Sequence, residues 1–382
     1  MKILVAHNFY RSQLVGGEDI IVRREVNFLK STLGEQNVFT YFVNNDDLKP
    51  LSLLKNIWGD RQHAKNIQDI IVKHNIDILH VHNEFPLLTP LIFKYAAQVG
   101  CKVIQTLHNF RNQCLSGILF KQNNICELCA HKKFKWAGII HKCYRNSYIQ
   151  SLIHAFAQYW YSLKKYEQYI NAYFILTQFQ KNKLLDFGVS SEKLFLKPNF
   201  IEPLPQQSLG LAERKQYIFI GRIESAKGID LLLSVWENLP QHFKLIVIGD
   251  GPDLKQLQEQ YKQANILFKG KCDSATVSKE LSQSRYLLQT SLCYETFGLT
   301  ILEAMQNSVP VMGFDIGTRG EFIEHGHNGF LMTPDNIESI VRESYDYGRY
   351  DAMAQKAREK AQAYYQDRIG CLQIQFYEKI IQ

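Results

Sequence analysis

Residues 286–305 read YLLQTSLCYETFGLTILEAM. The run 286–290 is apolar and strand-like, Gly298 disfavours a helix continuous through the segment, and an apolar pattern of helical spacing resumes at Leu299. The stretch therefore predicts a strand ending near Thr290, a loop carrying Glu295, and a helix from about Leu299. Strand, loop and helix in that order form the repeating unit of a parallel sheet covered by helices.

The same alternation recurs along the chain. It predicts strands at 2–7, 38–43, 76–80, 102–107 and 173–177, and again at 217–220, 244–248, 266–269, 286–290 and 309–313. A length of 382 residues with 46% apolar content exceeds what one core usually covers, so two domains are expected. Residues 197–210, KPNFIEPLPQQSLG, hold three prolines and no sustained period, which reads as a linker. The expected fold class is α/β: Rossmann-like domains at 1–204 and 205–360, facing each other across a cleft, and a helix at 361–382 that could cross back to the first domain.

Charge is distributed unevenly. Residues 1–200 contain 25 Lys+Arg against 14 Asp+Glu, a net of +11, which leaves −4 of the total +7 for the remainder. A basic first half suits nucleic acid, anionic lipid or a phosphorylated substrate. The opening MKILVAHNFY has too short an apolar run for a signal peptide, and no uncharged apolar stretch approaches the roughly 18 residues of a membrane span. A cytoplasmic protein is expected, with its eight cysteines reduced or metal-bound.

A helix beginning near Leu299 presents backbone N–H groups of Gly298, Leu299 and Thr300, a ready site for phosphate. Glu303, one turn in, could accept from vicinal ribose hydroxyls, and Glu295 from hydroxyls of a second sugar; an isolated pair of this kind is more often two surface carboxylates. FIGRIESAKGID at 219–230 places Arg222 and Lys227 after a strand, where two cations can bracket a diphosphate. LIVIGDGPD at 245–253 ends another strand with Gly249 and Gly251, a turn that permits close backbone approach.

In this order and at this spacing, these segments resemble the nucleotide-sugar half of a GT-B glycosyltransferase of retaining family 4, with its Glu-x7-Glu pair met by Glu295 and Glu303. GGED at 16–19, TLHN at 106–109 and LFLKPNFIE at 194–202 extend the resemblance to the first half. The resemblance implies that Arg222 and Lys227 bind the donor diphosphate, alongside the Gly249 and Gly251 turn. It gives Glu303 the ribose, and Glu295 the sugar with the backbone of Phe297 and Gly298. Gly16 and Gly17 would lie near the reacting carbon, and His108 near the sugar, though a histidine at a strand end also serves simply to bond a neighbouring loop. It implies transfer with retention from a nucleoside diphosphate sugar to a glycan or lipid-linked acceptor, as in bacterial surface-polysaccharide synthesis, with no catalytic metal. GTRGEFI at 317–323 and Phe200 after Asn199 depart from the family pattern, which leaves the donor's identity open. A nucleotide-sugar 2-epimerase and a non-catalytic zinc-knuckle protein are the rival readings.

The stretch 112–147 exceeds what a Rossmann-like domain needs. Cys114, Cys126, Cys129 and Cys143 are spaced C-x11-C-x2-C-x13-C, with His131 and His141 nearby. Four thiolates could hold a structural zinc, or the cysteines could pack as small apolar groups. Lys132, Lys133, Lys135, Lys142 and Arg145 interleave with Phe134, Trp136 and Tyr144, and Ile149, Leu152, Ile153, Phe156, Trp160 and Leu163 follow on one helical face. That combination suits peripheral docking on an anionic leaflet, although joining the N-terminal core is the preferred expectation for this face. Nucleic acid is not an expected partner, since no RNA-binding module is present.

Overall fold

The computed structural model describes residues 1–11, 16–48, 54, 56–204 and 214–382. It divides into two compact units: Met1–Lys121, Cys126–Phe200 and Gln366–Gln382 in the first, Ile201–Tyr365 with Gln122–Ile125 in the second. Residue 205, where the sequence reading set the boundary, lies outside the described residues. The division falls instead between Phe200 and Ile201, and again between Tyr365 and Gln366 rather than at 360/361.

The first unit contains strands β1 (Ile3–Phe9), β2 (Val38–Asn44), β3 (Ile78–Val81), β4 (Lys102–Thr106), β5 (Ala172–Ile175) and β6 (Leu194–Leu196), interspersed with helices α1 (Gly17–Leu33), α2 (Arg61–His74), α3 (Leu91–Gln98), α4 (Trp136–Ile140), α5 (Tyr148–Leu163) and α6 (Gln178–Asp186). The order is β2-β1-β3-β4-β5-β6, with every neighbouring pair parallel. A parallel sheet is covered on both faces, so its strands read as continuous apolar runs, and all seven residues of β1 are buried. Leu4, Ala6, Leu79 and Val81 join one core with Ile67, Ile71 and Ile92, while Ile3, Val5, Ile78 and Ile104 join another with Val22 and Leu29. Helix α2 starts where the Asp60 carboxylate accepts from His63 N and stops at Asn75 in the left-handed conformation, φ 53°.

The second unit repeats the plan. Strands β7 (Gln216–Ile220), β8 (Lys244–Ile248), β9 (Ile266–Gly270), β10 (Ser284–Gln289), β11 (Val311–Phe314) and β12 (Gly329–Met332) lie parallel in the order β9-β8-β7-β10-β11-β12. Helices α7 (Ile229–Glu237), α8 (Leu254–Gln260), α9 (Ser274–Gln283), α10 (Leu299–Gln306), α11 (Ile337–Tyr345) and α12 (Tyr350–Gln362) accompany them. Trp236, Tyr217, Tyr286 and Leu245 are buried in its core. The last helix, α13 (Gln366–Ile381), belongs to the first unit, where Ile369 and Tyr377 complete the core beside α1.

The short edge strands β6 and β12 were not anticipated, because runs of three or four residues carry too little pattern to stand out. A larger departure concerns α5. The expected apolar face does not join the core: Ile149, Leu152, Phe156 and Leu163 are exposed, Ile149 by 71%, and the buried residues are Ser151, His154, Ala155 and Ala157. Small residues let the backbone approach closely, and Ser151 Oγ accepts from Tyr144 N at 3.0 Å, so the helix docks by its small polar side. Among the described residues no helix is long and apolar enough to cross a membrane.

Candidate active site

In an open parallel sheet, ligands bind beyond the carboxyl ends of the strands, where the strand order reverses. In the second unit that point lies between β7 and β10. Strand β7 runs into Gly221 and Arg222, then through the turn Ser225–Lys227 into α7; β10 runs through Ser291 and Glu295 into α10. The two loops meet: Lys227 Nζ lies 2.5 Å from Glu295 Oε1, which also accepts from Ser291 Oγ at 2.7 Å. Burial opposes ionisation of Glu295, but the charge and hydrogen bond of Lys227, with Arg319 and Ser291, hold it down at about 2. Burial likewise works against the Lys227 ammonium, and Glu295 overrides it, raising the lysine above its usual value. Both groups are thus charged at neutral pH. Arg222 is exposed, its Nε 2.9 Å from Glu224 Oε2.

Helix α10 begins at Leu299, as the sequence predicts, with Gly298 as its N-cap at φ 86°, a left-handed conformation that favours glycine. The amides of its first turn have no partner within the helix, and the helix dipole adds positive potential there. Glu303 lies half-buried one turn in. Phe297 is a core side chain, edge-on to Phe322 at 5.2 Å between centroids, so only its backbone can serve a ligand.

Arg319, a support of this site, has no role in the sequence reading, and the Gly249 and Gly251 turn, named there beside the diphosphate, packs against a second loop. Arg319 is fully buried rather than at a site's rim: its guanidinium donates to Phe314 O (2.7 Å) and Ser291 O (2.8 Å), pinning the start of the Glu295 loop. Gly249 and Gly251 are needed for a neighbouring chain segment, since a Cβ would lie 1.8 Å from Gly221 O in the first case and 2.2 Å from Ile223 O in the second. Gly221 N donates to Ile248 O and Ile223 N to Asp250 O, so this turn holds the backbone on either side of Arg222.

In the first unit the order reverses between β1 and β3. Gly17 opens α1 after β1 and is exposed; among the described residues, its chain neighbours and own helix aside, no atom lies within 4 Å of a Cβ placed there, and Gly16 is its extended N-cap. His82 follows β3, and His108 follows β4. Their rings stack at 19°, with His82 Nδ1 2.9 Å from His108 Nε2. Behind them lies Glu25 of α1, fully buried: Oε2 accepts from Lys197 Nζ and Oε1 from Gln373 Nε2 of α13, each at 2.6 Å. His80 Nδ1 and His82 Nε2 lie 3.1 and 3.3 Å from the same Oε1, and Tyr377 OH of α13 is 2.6 Å from His80 Nδ1. Burial disfavours the Glu25 charge, but Lys197 and the two histidines hold it well below the usual carboxylate range. Burial pushes His82 down to about 3, and burial with the charges of His82, His7 and Lys197 holds His108 well below its normal value. Glu25, His80 and His82 come close enough to be considered for a metal, yet the Lys197 ammonium already supplies the cation there. Glu25 and Lys197 left no signal in the sequence, as a charged residue on an amphipathic helix or in a Pro-Asn loop reads as surface.

Residues 201–364 match the family model described as glycosyl transferases group 1. The second unit is a group 1 glycosyltransferase domain. The chain is 26% identical over 297 residues to the 2-deoxystreptamine N-acetyl-D-glucosaminyltransferase of Niallia circulans, covering 75% of this chain and 70% of that protein. It is 29% identical over 189 residues to the sulfoquinovosyl transferase SQD2 of Arabidopsis thaliana, covering 48% of this chain but only 37% of that protein. Among solved structures, Anabaena Alr3699/HepE in complex with UDP and glucose superposes with a TM-score of 0.69 at 16% identity, covering 99% of this chain and 100% of that one. Likeness at that identity establishes the fold, which is GT-B.

Proposed function

We propose that the protein is a retaining glycosyltransferase that moves a hexose-type sugar from a nucleoside diphosphate donor to a glycan or lipid-linked acceptor in surface-polysaccharide synthesis. The observation that carries this reading is the Lys227–Glu295 pair at the switch point of the second unit, beside the N-terminus of α10. A leaving diphosphate gains negative charge in the transition state. Preorganised cations and helix amides stabilise that charge without reorganising. Lys227 and Arg222 meet the phosphates, the amides of Gly298, Leu299 and Thr300 meet their oxygens, Glu303 holds the ribose, and Glu295 accepts from the sugar hydroxyls. The Alr3699/HepE complex, which contains UDP and glucose, supports this donor class.

His108 fits a neutral role. An ionised Glu25 only accepts hydrogen bonds, so it favours a proton on His82 Nε2; His82 Nδ1 then accepts from His108 Nε2. A neutral His108 can bond a sugar hydroxyl without adding charge beside a developing oxocarbenium centre. Gly17, with no side chain, leaves room at the start of α1. The exposed apolar residues Trp136, Ile140, Ile149 and Leu152, near Lys132, Lys133 and Arg145 in sequence, give the first unit a surface suited to an anionic leaflet that carries a lipid-linked acceptor.

Incubation with a panel of nucleotide sugars and isolated glycan or polyprenyl-diphosphate acceptors tests the reading. It predicts acceptor-dependent release of nucleoside diphosphate and a product whose anomeric configuration, read by NMR, matches the donor. Release of free sugar without acceptor would favour the epimerase reading instead, and inversion would remove the retaining mechanism.

A further inference from the structure

We infer that the first unit holds a structural zinc ion on the four thiolates of Cys114, Cys126, Cys129 and Cys143. These residues are spread over 30 positions of sequence, yet together with His141 they line one cavity of about 10 Å³, the room of a single small guest. Cys114 and Cys129 are buried and the other two half-buried. The surrounding chain has little regular structure, namely the two-residue strand Phe120–Lys121 and the five-residue helix α4, and a small core at Leu115, Leu119 and Phe120. A metal that ties four distant points of such a segment supplies stability that its small core cannot.

Charge gives an independent argument. Lys135 is buried, 5% exposed, with Nζ donating to Gln113 O at 3.2 Å. Gln113 is the residue before Cys114, and four thiolates around Zn²⁺ carry a net charge of −2 that would offset a buried ammonium there. Gly138 is fixed beside this wall, since a Cβ there would lie 2.6 Å from Leu115. The sulfurs ring the cavity without the close approach that an ion imposes, and Zn–S bonds of about 2.3 Å would draw them inward. Four protein ligands leave no open position, so the ion takes no part in transfer.

Elemental analysis of the dialysed full-length protein tests this directly. The expected result is one zinc per chain, falling below one-tenth in Cys126→Ser and Cys129→Ser and unchanged in Cys272→Ser. Because the ligand variants could misfold, the intact protein is also titrated with an organomercurial in the presence of a chromogenic chelator; zinc should appear in step with modification of four thiols. Protein that contains no zinc and takes up none from added Zn²⁺ in reducing buffer overturns the inference. So does loss of the metal in His141→Ala with retention in Cys126→Ser.

Discussion

Glu295 and Lys227 show how two residues that sequence can only nominate become a site. Their separation of 68 positions is closed by the adjacency of β7 and β10, and the contact itself could not be read from spacing. Arg319 marks the limit of that reading: it looked like a substitution in a motif, and it is instead the buried clamp on the Glu295 loop. Replacing it with Met leaves the carbonyls of Phe314 and Ser291 buried without their donor. We predict a loss of about 2–4 kcal/mol in chemical denaturation, with donor KM raised more than kcat is lowered. Unchanged stability would contradict the clamp. Glu295→Gln removes the carboxylate that offsets Lys227, and is expected to lower kcat by roughly 10²-fold while the far-ultraviolet circular dichroism stays unchanged.

At the level of elements, the strand–loop–helix unit at Ser284–Gln306 was legible because its signals agree: an apolar run, a glycine that must be left-handed, and a helical period. Helix α5 was misread because periodicity shows that a helix has two faces but not which one docks. Its exposed face carries a prediction. Ile149→Glu with Leu152→Glu should reduce binding to vesicles of one-third anionic lipid at least tenfold in a sedimentation assay, without lowering the thermal midpoint. Equal binding by the variant would show that this surface does not face lipid. The turn at Gly249 and Gly251 acts through the neighbouring loop, so Gly251→Ala must push Ile223 aside and displace Arg222. A rise in donor KM together with a lower melting temperature is expected; a fall in kcat alone would place the glycine at the reacting groups instead.

Across the whole molecule, alternation of strands and helices revealed two Rossmann-like units and left a last helix that could cross back to the first; the contacts that place α13 there, made by Gln373 and Tyr377 with Glu25 and His80, could not be read from the sequence. The buried histidines give the first unit a pH dependence of known sign. His80, His82, His108 and His154 all have lowered pKa values, about 3 for His82 and His154. Below about pH 6.5 the unfolded chain binds protons at these rings and the folded chain does not, so stability falls by roughly 1.4 kcal/mol per pH unit for each until its folded value is reached. Glu25 and Glu295 act in the same direction but later, as pH falls below about 4.5 and through their depressed folded values, whereas Glu18 and Glu84, raised by burial, act in the opposite direction. The four histidines outnumber these two raised carboxylates, so the urea midpoint should drop between pH 7 and pH 5, before Glu25 and Glu295 titrate; a flat profile there would contradict the neutral buried cluster.

The central claim is that Lys227 and Glu295 grip a nucleoside diphosphate sugar as the bond between its sugar carbon and the diphosphate breaks. Nucleoside diphosphate release by Lys227→Ala, measured under saturating donor and acceptor beside the parent protein, tests it most directly. The account predicts a fall of about 10²–10³-fold in kcat with the fold intact; turnover equal to the parent would contradict it.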